Sequence, residues 1–227
     1  MTKLPRSLDA IEARVLGSLL EKAQTTPDYY PMTLKALVAA CNQKSNRDPV
    51  MDLDEDDVLR TLERLKRDVM VWRTPGARAE RWSESITRRL ELSDAQRALI
   101  AVLLLRGPQT TGELRTRTER LHSFADLAAV ESALEALTTG AEPILVELPR
   151  QPGHKFARWM HRLGDPEALE ALIKAEPVSV STPAPPLEKR TPLTPRVESL
   201  EQQVETLQQQ VEALQRELSE LKEQLGA

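Results

Sequence analysis

The fold is decided by residues 54–83, which read DEDDVLRTLERLKRDVMVWRTPGARAERWS. The first part predicts a helix from about 54 to 68, because apolar residues recur on one face at helical spacing. These residues are Val58, Leu62 and Leu65. The second part predicts a β-hairpin, because two short strand-like stretches, 69–73 and 79–83, flank a Pro-Gly turn. The segment is therefore a helix followed directly by a hairpin.

Two further helices are predicted upstream of this segment. Asp9 begins a capping-box sequence that opens a helix, which we expect to end near Ala23. Thr33 is a suitable N-cap for a short helix through about Ala40. Residues 7–90 therefore contain three helices followed by a hairpin wing, which is the order of a winged helix, a variant of the helix-turn-helix fold.

The same order is repeated in residues 91–164. Equivalent residues recur at offsets of 85, 77, 72 and again 77, and the series ends in two matched pairs, Arg81-Trp82 and Arg158-Trp159. The changing offsets place insertions between elements, where loops tolerate them. The second copy predicts helices at 94–106, 111–121 and 126–138, then strands at 144–148 and 155–160. The predicted fold class is mainly α with small β-hairpin wings, organised as two tandem winged-helix domains.

A different composition begins after the repeats. Residues 165–195 are predicted to be a short helix and a proline-rich linker, because Pro177–Pro195 contains six prolines in nineteen residues. Residues 196–227 are predicted to form a coiled coil, since apolar residues alternate at spacings of three and four. The dimerisation seam consists of Val197, Leu200, Val204, Leu207, Val211, Leu214, Leu218, Leu221 and Leu225. Val at a with Leu at d favours a parallel homodimer; an antiparallel pair or a different partner protein stays open.

The charge of the chain is unevenly distributed. The formal net charge is −4, but residues 60–120 carry fourteen Lys or Arg against eight Asp or Glu, whereas residues 165–227 carry six against twelve. The basic middle could face a polyanion, which the acidic C-terminal part would repel. The lone Cys41 cannot form an intrachain disulfide, and the longest apolar run, Ala98–Leu105, is too short to cross a bilayer. We expect a cytoplasmic protein with no membrane partner.

The stretch Ala40–Val50 reads ACNQKSNRDPV, which is long and specific enough to indicate a family. Together with RVLGSLLEK at 14–22, it closely resembles the YceH family of bacterial proteins, and the likeness covers about residues 8–165. Lys35 is a mild departure, because the family pattern has Asn there. The resemblance implies tandem winged-helix domains and a C-terminal coiled coil, and it implies little about activity.

The polar loop between the second and third helices, residues 42–47, is the first candidate for nucleic-acid binding. Its amide and hydroxyl groups, with Lys44 and Arg47 as the cations, could hold phosphate oxygens. Alternatively, its Asn and Ser side chains cap helix ends, and Arg47 pairs with Asp48 or the acids that follow. The sequence does not choose between these interpretations.

A row of arginines on the third helix and its hairpin is the second candidate. Its members are Arg60, Arg64, Arg67, Arg73, Arg78 and Arg81. The first three recur at i, i+4 and i+7 opposite the apolar face of the helix, and the last three flank the wing. About six phosphate contacts would make the affinity for DNA steeply salt-dependent. Alternatively, this is a solvated face on which Glu63 and Asp68 balance the arginines.

Both presumed recognition helices are acidic where DNA would be read. Such a helix usually enters the major groove with its N-terminal residues. Residues 52–57, however, contain five acids in six positions, and residues 126–148 contain neither Lys nor Arg. Phosphates would repel these carboxylates. Arg115, Arg117 and Arg120 on the second domain's middle helix could still contact a DNA backbone.

Catalysis has little support in the sequence. His122, His154 and His161 are too scattered to form a metal-ligand set with Cys41, which lies at the end of an apolar helix face and is expected in the core. No glycine-rich phosphate loop is present. We therefore expect no enzymatic activity, no cofactor and no metal.

Two functions fit these patterns. The first is a dimeric DNA-binding protein, of transcriptional or nucleoid type, that uses tandem winged helices and pairs with itself through the coiled coil. The second is a non-enzymatic adaptor whose winged helices bind a partner protein, by analogy with chromosome-segregation adaptors of this fold. The helix order and the basic middle favour double-stranded DNA as the partner, and the acidic third helices favour a protein.

Overall fold

The structure repeats one order of helices and short strands along the chain. A computed structural model describes residues 6–76, 79–139, 142–150 and 155–174. In these residues the fold is mainly helical with small antiparallel sheets, which confirms the predicted fold class at that level. None of the helices in these ranges is both long and apolar enough to span a membrane. The predicted coiled coil and its seam lie outside the described residues.

The first half contains three helices, a small sheet and a short fourth helix. Its elements are α1 Ala10–Thr25, β1 Met32–Thr33, α2 Leu34–Cys41, α3 Glu55–Arg67, β2 Val71–Thr74, β3 Arg81–Glu84 and α4 Ile86–Arg89. These bounds confirm the three predicted helices to within about two residues. The strands of the hairpin begin two residues later than predicted. β1 and α4 were not predicted, because elements of two and four residues are too short to show a periodicity.

The second half repeats this order. Its elements are α5 Asp94–Arg106, α6 Thr111–Thr118, α7 Leu127–Thr138, β4 Leu145–Leu148, β5 Arg158–His161 and α8 Pro166–Lys174. The bounds of α5 match the prediction. α6 ends earlier than predicted, because the Thr118 carbonyl accepts hydrogen bonds from the backbone N–H groups of both Leu121 and His122, which closes the chain into a turn.

Side-chain caps begin the three helices that precede the hairpin in each half. In each of them an oxygen accepts a hydrogen bond from the backbone N–H three residues further on, which satisfies a donor that the helix itself leaves open. The caps are Asp9, Thr33 and Asp54 in the first half and Ser93, Thr110 and Asp126 in the second. Equivalent helices therefore begin with equivalent signals.

A tryptophan closes each half at its hairpin. Trp82 of β3 pairs with Met32 of β1, and Trp159 of β5 forms a bridge with Gln109. In the sequence, Trp159 and Gln109 each lie 77 positions after their equivalents, Trp82 and Met32. Trp82 is buried. Trp159 is half-buried against the core, and its Nε1 donates to Thr111 Oγ1 at 3.2 Å. Both rings therefore contact the core behind the hairpins.

The two halves share one hydrophobic core, in which α1 packs along α5. Gly17 of α1 lies so close to α5 that an added Cβ would stand 2.9 Å from Cγ and Cδ2 of Leu105. Nearer the end of α1, Gln24 Nε2 donates to the Asp94 carbonyl at 2.9 Å. These two contacts set α1 and α5 antiparallel. The predicted boundary between two domains, at residues 90 and 91, rests on the sequence repeat and stays a prediction.

We predict that Gly17→Ala lowers the free energy of unfolding by about 1–2 kcal/mol, because overpacking of the α1–α5 contact outweighs the gain in helix propensity. Gly112 of α6 is the matched control, since it is exposed and no atom lies within 4 Å of an added Cβ. Gly112→Ala should raise the free energy of unfolding by about 0.5–1 kcal/mol. Chemical denaturation of the full chain measures both changes. Equal effects of the two substitutions would contradict the close approach of α1 to α5.

Candidate nucleic-acid interface

The arginines of α3 are engaged by nearby carboxylates. Arg60 donates to Asp57 Oδ1 at 2.7 Å within the same helix. Arg64 reaches α1, where it lies 2.8 Å from Asp9 Oδ2 and 3.3 Å from Glu12 Oε1. These pairs are partly exposed and contribute little stability. They nevertheless cancel most of the positive charge that a phosphate would encounter on this face.

The remaining features of α3 do not restore a basic surface. Arg67 is exposed and makes no ion pair within the described residues. It lines a shallow groove together with the apolar side chains of Ile11 and Leu59. The N-terminal turn is held by a capping box between Asp54 and Asp57, and Glu55 and Asp56 are exposed there. The helix therefore presents carboxylates where a recognition helix would approach DNA.

The arginines of the first hairpin also have partners. Arg73 lies 3.5 Å from Glu63 and 3.2 Å from Glu80, and its guanidinium stands 6.0 Å from the centre of the Trp82 ring. Arg81 Nη1 donates to the Pro31 carbonyl at 2.8 Å. The third predicted contact of the wing, Arg78, lies outside the described residues.

Arg47 is a buried structural residue, which corrects its predicted role as a phosphate contact. Its side chain is 0% exposed and forms two hydrogen bonds with the Glu21 carboxylate, at 3.1 and 2.7 Å. It also donates to the carbonyls of Ala40 and Asn46. The alternative interpretation of the loop is confirmed in one respect, because Arg47 does pair with a carboxylate. The acid, however, comes from α1 and not from the residues that follow.

The burial of this ion pair shifts the pKa of Glu21. Desolvation alone would raise the pKa of the carboxyl group. The hydrogen bonds and the positive charge of Arg47 outweigh that effect and hold the pKa of Glu21 below its ordinary value. Glu21 therefore stays ionised in the folded protein at neutral pH.

Further polar contacts fasten the loop after α2. Buried Arg14 of α1 donates to the carbonyl of Cys41, the last residue of α2, and to the carbonyl of Pro49 within the loop. The backbone N–H of Asp48 donates to the Leu105 carbonyl at 2.9 Å, which joins the loop to the last turn of α5. Asn42 closes the loop on itself, because its amide exchanges two hydrogen bonds with the backbone of Leu53.

Cys41 lies in the core, as predicted. Its side chain is fully buried, and burial raises the pKa of the thiol to about 11. The thiol is therefore protonated at neutral pH and is a poor nucleophile.

Cationic side chains converge instead on a cleft of about 440 Å³. The end of α1, the loop after α2, α5 and the end of α6 line it, and we call it the basic cleft. Its five cations, which we call the cleft cations, are Lys22, Lys44, Arg106, Arg117 and Arg120. Among the described residues that line the cleft, Glu21 is the one carboxylate, and it is already bound to Arg47. The cleft therefore has a strong excess of positive charge.

Two cleft cations are unpaired within the described residues. Lys44 and Arg120 are exposed and make no ion pair or side-chain hydrogen bond there. Lys22 Nζ lies 3.4 Å from Glu21 Oε2, but that carboxylate is shared with Arg47. These ammonium and guanidinium groups are therefore available to an anion.

The other two cleft cations are held in place by neighbours. Arg106 Nη1 donates to Asn46 Oδ1 at 3.3 Å, and Arg117 lies 3.1 Å from Glu113. Desolvation, assisted by the positive charge of Arg117, lowers the pKa of Arg106. Asn46 has a positive φ of 58°, which Asn tolerates better than most residues. An anion bound here would relieve the repulsion between the two guanidinium groups.

The structure brings together only part of the predicted set. Of the predicted phosphate contacts, Lys44 lines the basic cleft, whereas the α3 and hairpin arginines described above line other surfaces. Arg117 and Arg120 were noted in the sequence as backbone contacts of the second domain. Lys22 and Arg106 were missed. Both are basic residues in the last turn of equivalent helices, a position usually explained by the helix dipole alone.

No metal site is evident in the part of the chain that the structure describes. Nowhere in it do three or more His, Cys, Asp or Glu side chains gather closely enough to hold an ion. His161 is buried, and its burial lowers its pKa to about 4, so that the imidazole is neutral in the folded protein.

The fold and the cleft define a mainly helical protein with small hairpin sheets whose most distinctive surface is cationic. Comparison with known proteins then identifies its family. The chain belongs to the family described as "Protein of unknown function, DUF480", which matches residues 8–154. This result agrees with the family resemblance found in the sequence.

Several bacterial relatives support the assignment. A UPF0502 protein of Geobacter sulfurreducens is 50% identical over 171 residues, covering 75% of this chain and 78% of the relative. A UPF0502 protein of Acidovorax sp. strain JS42 is 44% identical over 204 residues, covering 87% and 88%. A third, from Geobacter metallireducens, is 52% identical over 163 residues, covering 71% and 74%.

We predict that Glu21→Gln lowers the free energy of unfolding at pH 7 by about 2–4 kcal/mol, because it leaves the buried Arg47 guanidinium without a counter-charge. Since the pKa of Glu21 is depressed in the folded state, the stabilisation by its carboxylate is present above the ordinary carboxyl pKa. It is lost as the pH falls through the folded-state pKa. Denaturation at pH 7 and at about pH 3 should therefore show a smaller difference between the variant and the wild type at the lower pH.

Glu63→Gln is the control for this prediction. Glu63 pairs with Lys66 and Arg73, but its side chain is 43% exposed. Its replacement should change the free energy of unfolding by less than about 1 kcal/mol. A Glu21→Gln effect of the same size at both pH values would be inconsistent with a buried ionised pair.

Proposed function

We propose that this chain is a dimeric DNA-binding protein, of transcriptional or nucleoid type, with two tandem winged-helix domains and a C-terminal coiled coil. We further propose that it contacts the DNA backbone through the basic cleft. One observation carries the proposal: in the described part of the chain five cations line the cleft, and the one carboxylate that lines it with them, Glu21, is bound to Arg47. Lysine and arginine side chains bind phosphate oxygens and release counterions from the duplex.

The proposed contact differs from the usual use of a winged helix. In that use, the third helix enters the major groove. Here α3 begins with exposed carboxylates, and its Arg60 and Arg64 are paired with acids. Contacts from the cleft would reach phosphates and not base edges. Because phosphate contacts carry no sequence information directly, binding is expected to depend weakly on DNA sequence.

The winged-helix assignment is supported by the repeated order of three helices and a hairpin. It is also supported by the equivalent Trp82 and Trp159 pairings, which give the two halves the same closure. The dimer is supported by the heptad seam of residues 197–225. Two copies on one duplex would gain affinity from their effective concentration.

We predict that the double variant Lys44→Glu/Arg120→Glu binds a random-sequence duplex at least about tenfold more weakly than the wild type. The slope of log affinity against log salt concentration should fall by about two, since each lost phosphate contact removes roughly 0.9. Fluorescence anisotropy of labelled duplex, titrated with the full chain across a salt series, measures both quantities.

The matched control is Arg60→Glu/Arg67→Glu, which makes the same change in net charge on α3. Both side chains are exposed, and the Arg60 side chain is 67% accessible. This variant should keep its affinity to within about threefold, because long-range repulsion between exposed charges is screened by salt. Loss of binding in the α3 variant with retention in the cleft variant would refute the cleft as the contact surface.

We predict that Leu207→Asp/Leu214→Asp converts a dimer into a monomer, because carboxylates at d positions cannot be buried in a coiled-coil seam. Sedimentation equilibrium should show half the wild-type mass, and DNA affinity should fall with the loss of the second binding unit. Gln202→Asp/Gln209→Asp adds the same charge at f positions and should remain dimeric. A monomeric wild type would remove the dimer from the proposal.

A second function, as an adaptor for a partner protein, is favoured by Trp72. This side chain is 47% exposed on β2, which lies at the edge of the sheet ordered β1-β3-β2. An exposed aromatic residue on an edge strand suits the addition of a strand from another protein. The two functions are separable. An absence of duplex binding at low salt, with a stoichiometric protein partner that Trp72→Ala no longer retains, would favour the adaptor.

A further inference from the structure

We propose that the basic cleft is also a site for a small organic phosphate, meaning a molecule that joins an apolar ring to several phosphate groups. We propose in addition that this ligand competes with DNA for the cleft cations. The competition rests on the proposed function, whereas the small-molecule site rests only on the lining of the cleft.

The size of the cleft suits a small molecule. Ligand sites are typically concave, with volumes of roughly 300–1,000 Å³, and combine apolar walls with a few placed polar groups. The basic cleft has a volume of about 440 Å³ and lies between elements from both halves of the chain. A DNA backbone contacts a convex or open surface equally well and does not require an enclosed volume.

The floor of the cleft is apolar. Val102 and Leu105 of α5 and Leu121 after α6 line it beneath the cations. Val102 and Leu105 are almost completely buried, whereas Leu121 remains partly exposed. Phosphates and sugars gain little from such a floor, but a ring stacked on it would remove its own faces and the exposed part of Leu121 from water. The lining therefore matches a ligand with one apolar end and one polyanionic end.

One wall of the cleft presents polar side chains without partners. Gln43, Lys44 and Ser45 are consecutive, line the cleft and make no side-chain hydrogen bond within the described residues. Their backbone is nevertheless fixed, because buried Arg47 anchors the loop to Glu21 and Asp48 anchors it to α5. A fixed loop with uncommitted donors is pre-organised for a ligand, which reduces the entropy lost on binding.

The same cations would serve both ligands. Lys44 and Arg120 are the unpaired cleft cations, so phosphate groups of a small ligand and of a DNA backbone would occupy the same positions. Binding of one therefore excludes the other. Through this competition the concentration of the small phosphate would set the fraction of protein on DNA.

The experiment uses isothermal titration of the full chain, without divalent cations, with three probes: adenosine triphosphate, inorganic tripolyphosphate and adenosine. The first two have similar charge, and the first and third share a ring. We expect adenosine triphosphate to bind at least about tenfold more tightly than tripolyphosphate, because only the former also covers the apolar floor. Adenosine alone should bind more weakly than either.

Two variants assign the contacts. Lys44→Glu should weaken adenosine triphosphate and tripolyphosphate alike. Leu121→Asn should weaken the binding of adenosine triphosphate by about tenfold and leave that of tripolyphosphate unchanged, because Leu121 belongs to the apolar floor that the ring would cover. Thermal melts confirm that each variant is folded. Lys44 is exposed, so its variant remains informative even if Leu121→Asn fails to fold.

Each outcome decides the inference separately from the proposed function. Equal affinity for adenosine triphosphate and tripolyphosphate, or no binding of either, overturns the small-molecule site, while DNA binding through the cleft can still be observed. The small-molecule site is supported if adenosine triphosphate binds selectively and Lys44→Glu removes that binding. This support holds even if Lys44→Glu/Arg120→Glu leaves DNA binding intact, a result that would refute the proposed DNA contact. If the small-molecule site and DNA binding through the cleft are both observed, adenosine triphosphate should displace labelled duplex at concentrations at which tripolyphosphate does not.

Discussion

The approach of α1 to α5 at Gly17 is the contact on which the rest of the described structure depends. Only a residue without a side chain lets the two helices meet so closely, since a Cβ would stand 2.9 Å from the Leu105 side chain. Leu105 also accepts a hydrogen bond from the backbone of Asp48 through its carbonyl, so one residue of α5 places both α1 and the loop after α2. The basic cleft lies where these elements meet. Its geometry is therefore a consequence of helix packing in the core and not of the loop alone.

The polar interior beside this contact explains why the loop has one conformation. Arg14 and Arg47 are both buried, and among the residues that the structure describes Glu21 is the one carboxylate bound to either of them. Desolvation, followed by repulsion from Arg47, lowers the pKa of Arg14. Burying two guanidinium groups is costly, and apolar side chains of the same volume would often be no less stable. The arginines instead fix the path of the chain, because each donates to one carbonyl group at the end of α2 and to one in the loop that follows. The carbonyl groups are those of Ala40, Cys41, Asn46 and Pro49. The interaction therefore fixes the loop that carries Lys44 more than it adds stability.

The helices could be predicted from the sequence because their signals are local. Apolar spacing and side-chain caps lie within the elements that they define, and the two copies supported each other through equivalent caps and tryptophans. The candidate site could not be predicted in the same way, because pairing between charges depends on the tertiary structure. The position of Arg64 opposite the apolar face of α3 could be predicted from its spacing. The carboxylates that neutralise it, Asp9 and Glu12, lie at the start of α1 and are distant in sequence. Lys22 and Arg106 lie more than eighty residues apart in sequence, and only the packing of α1 on α5 brings them to one cleft.

The separation of charge across the molecule limits how a polyanion can approach it. The carboxylates at the start of α3 cap that helix and suit its dipole, so they are explained by local structure. Their repulsion of phosphate nevertheless remains, and in the proposed function it would direct a duplex away from α3 and towards the basic cleft. A protein bound in this way would recognise the spacing of phosphates and the width of grooves more than base edges. Any discrimination among DNA sites would then come from DNA shape or from pairing of two copies. A change of DNA binding with conditions would come from other anions, such as a small phosphate, that compete with DNA for the cleft cations. In this arrangement the packed helices of the two halves supply a rigid frame, and the cleft between them supplies the cations.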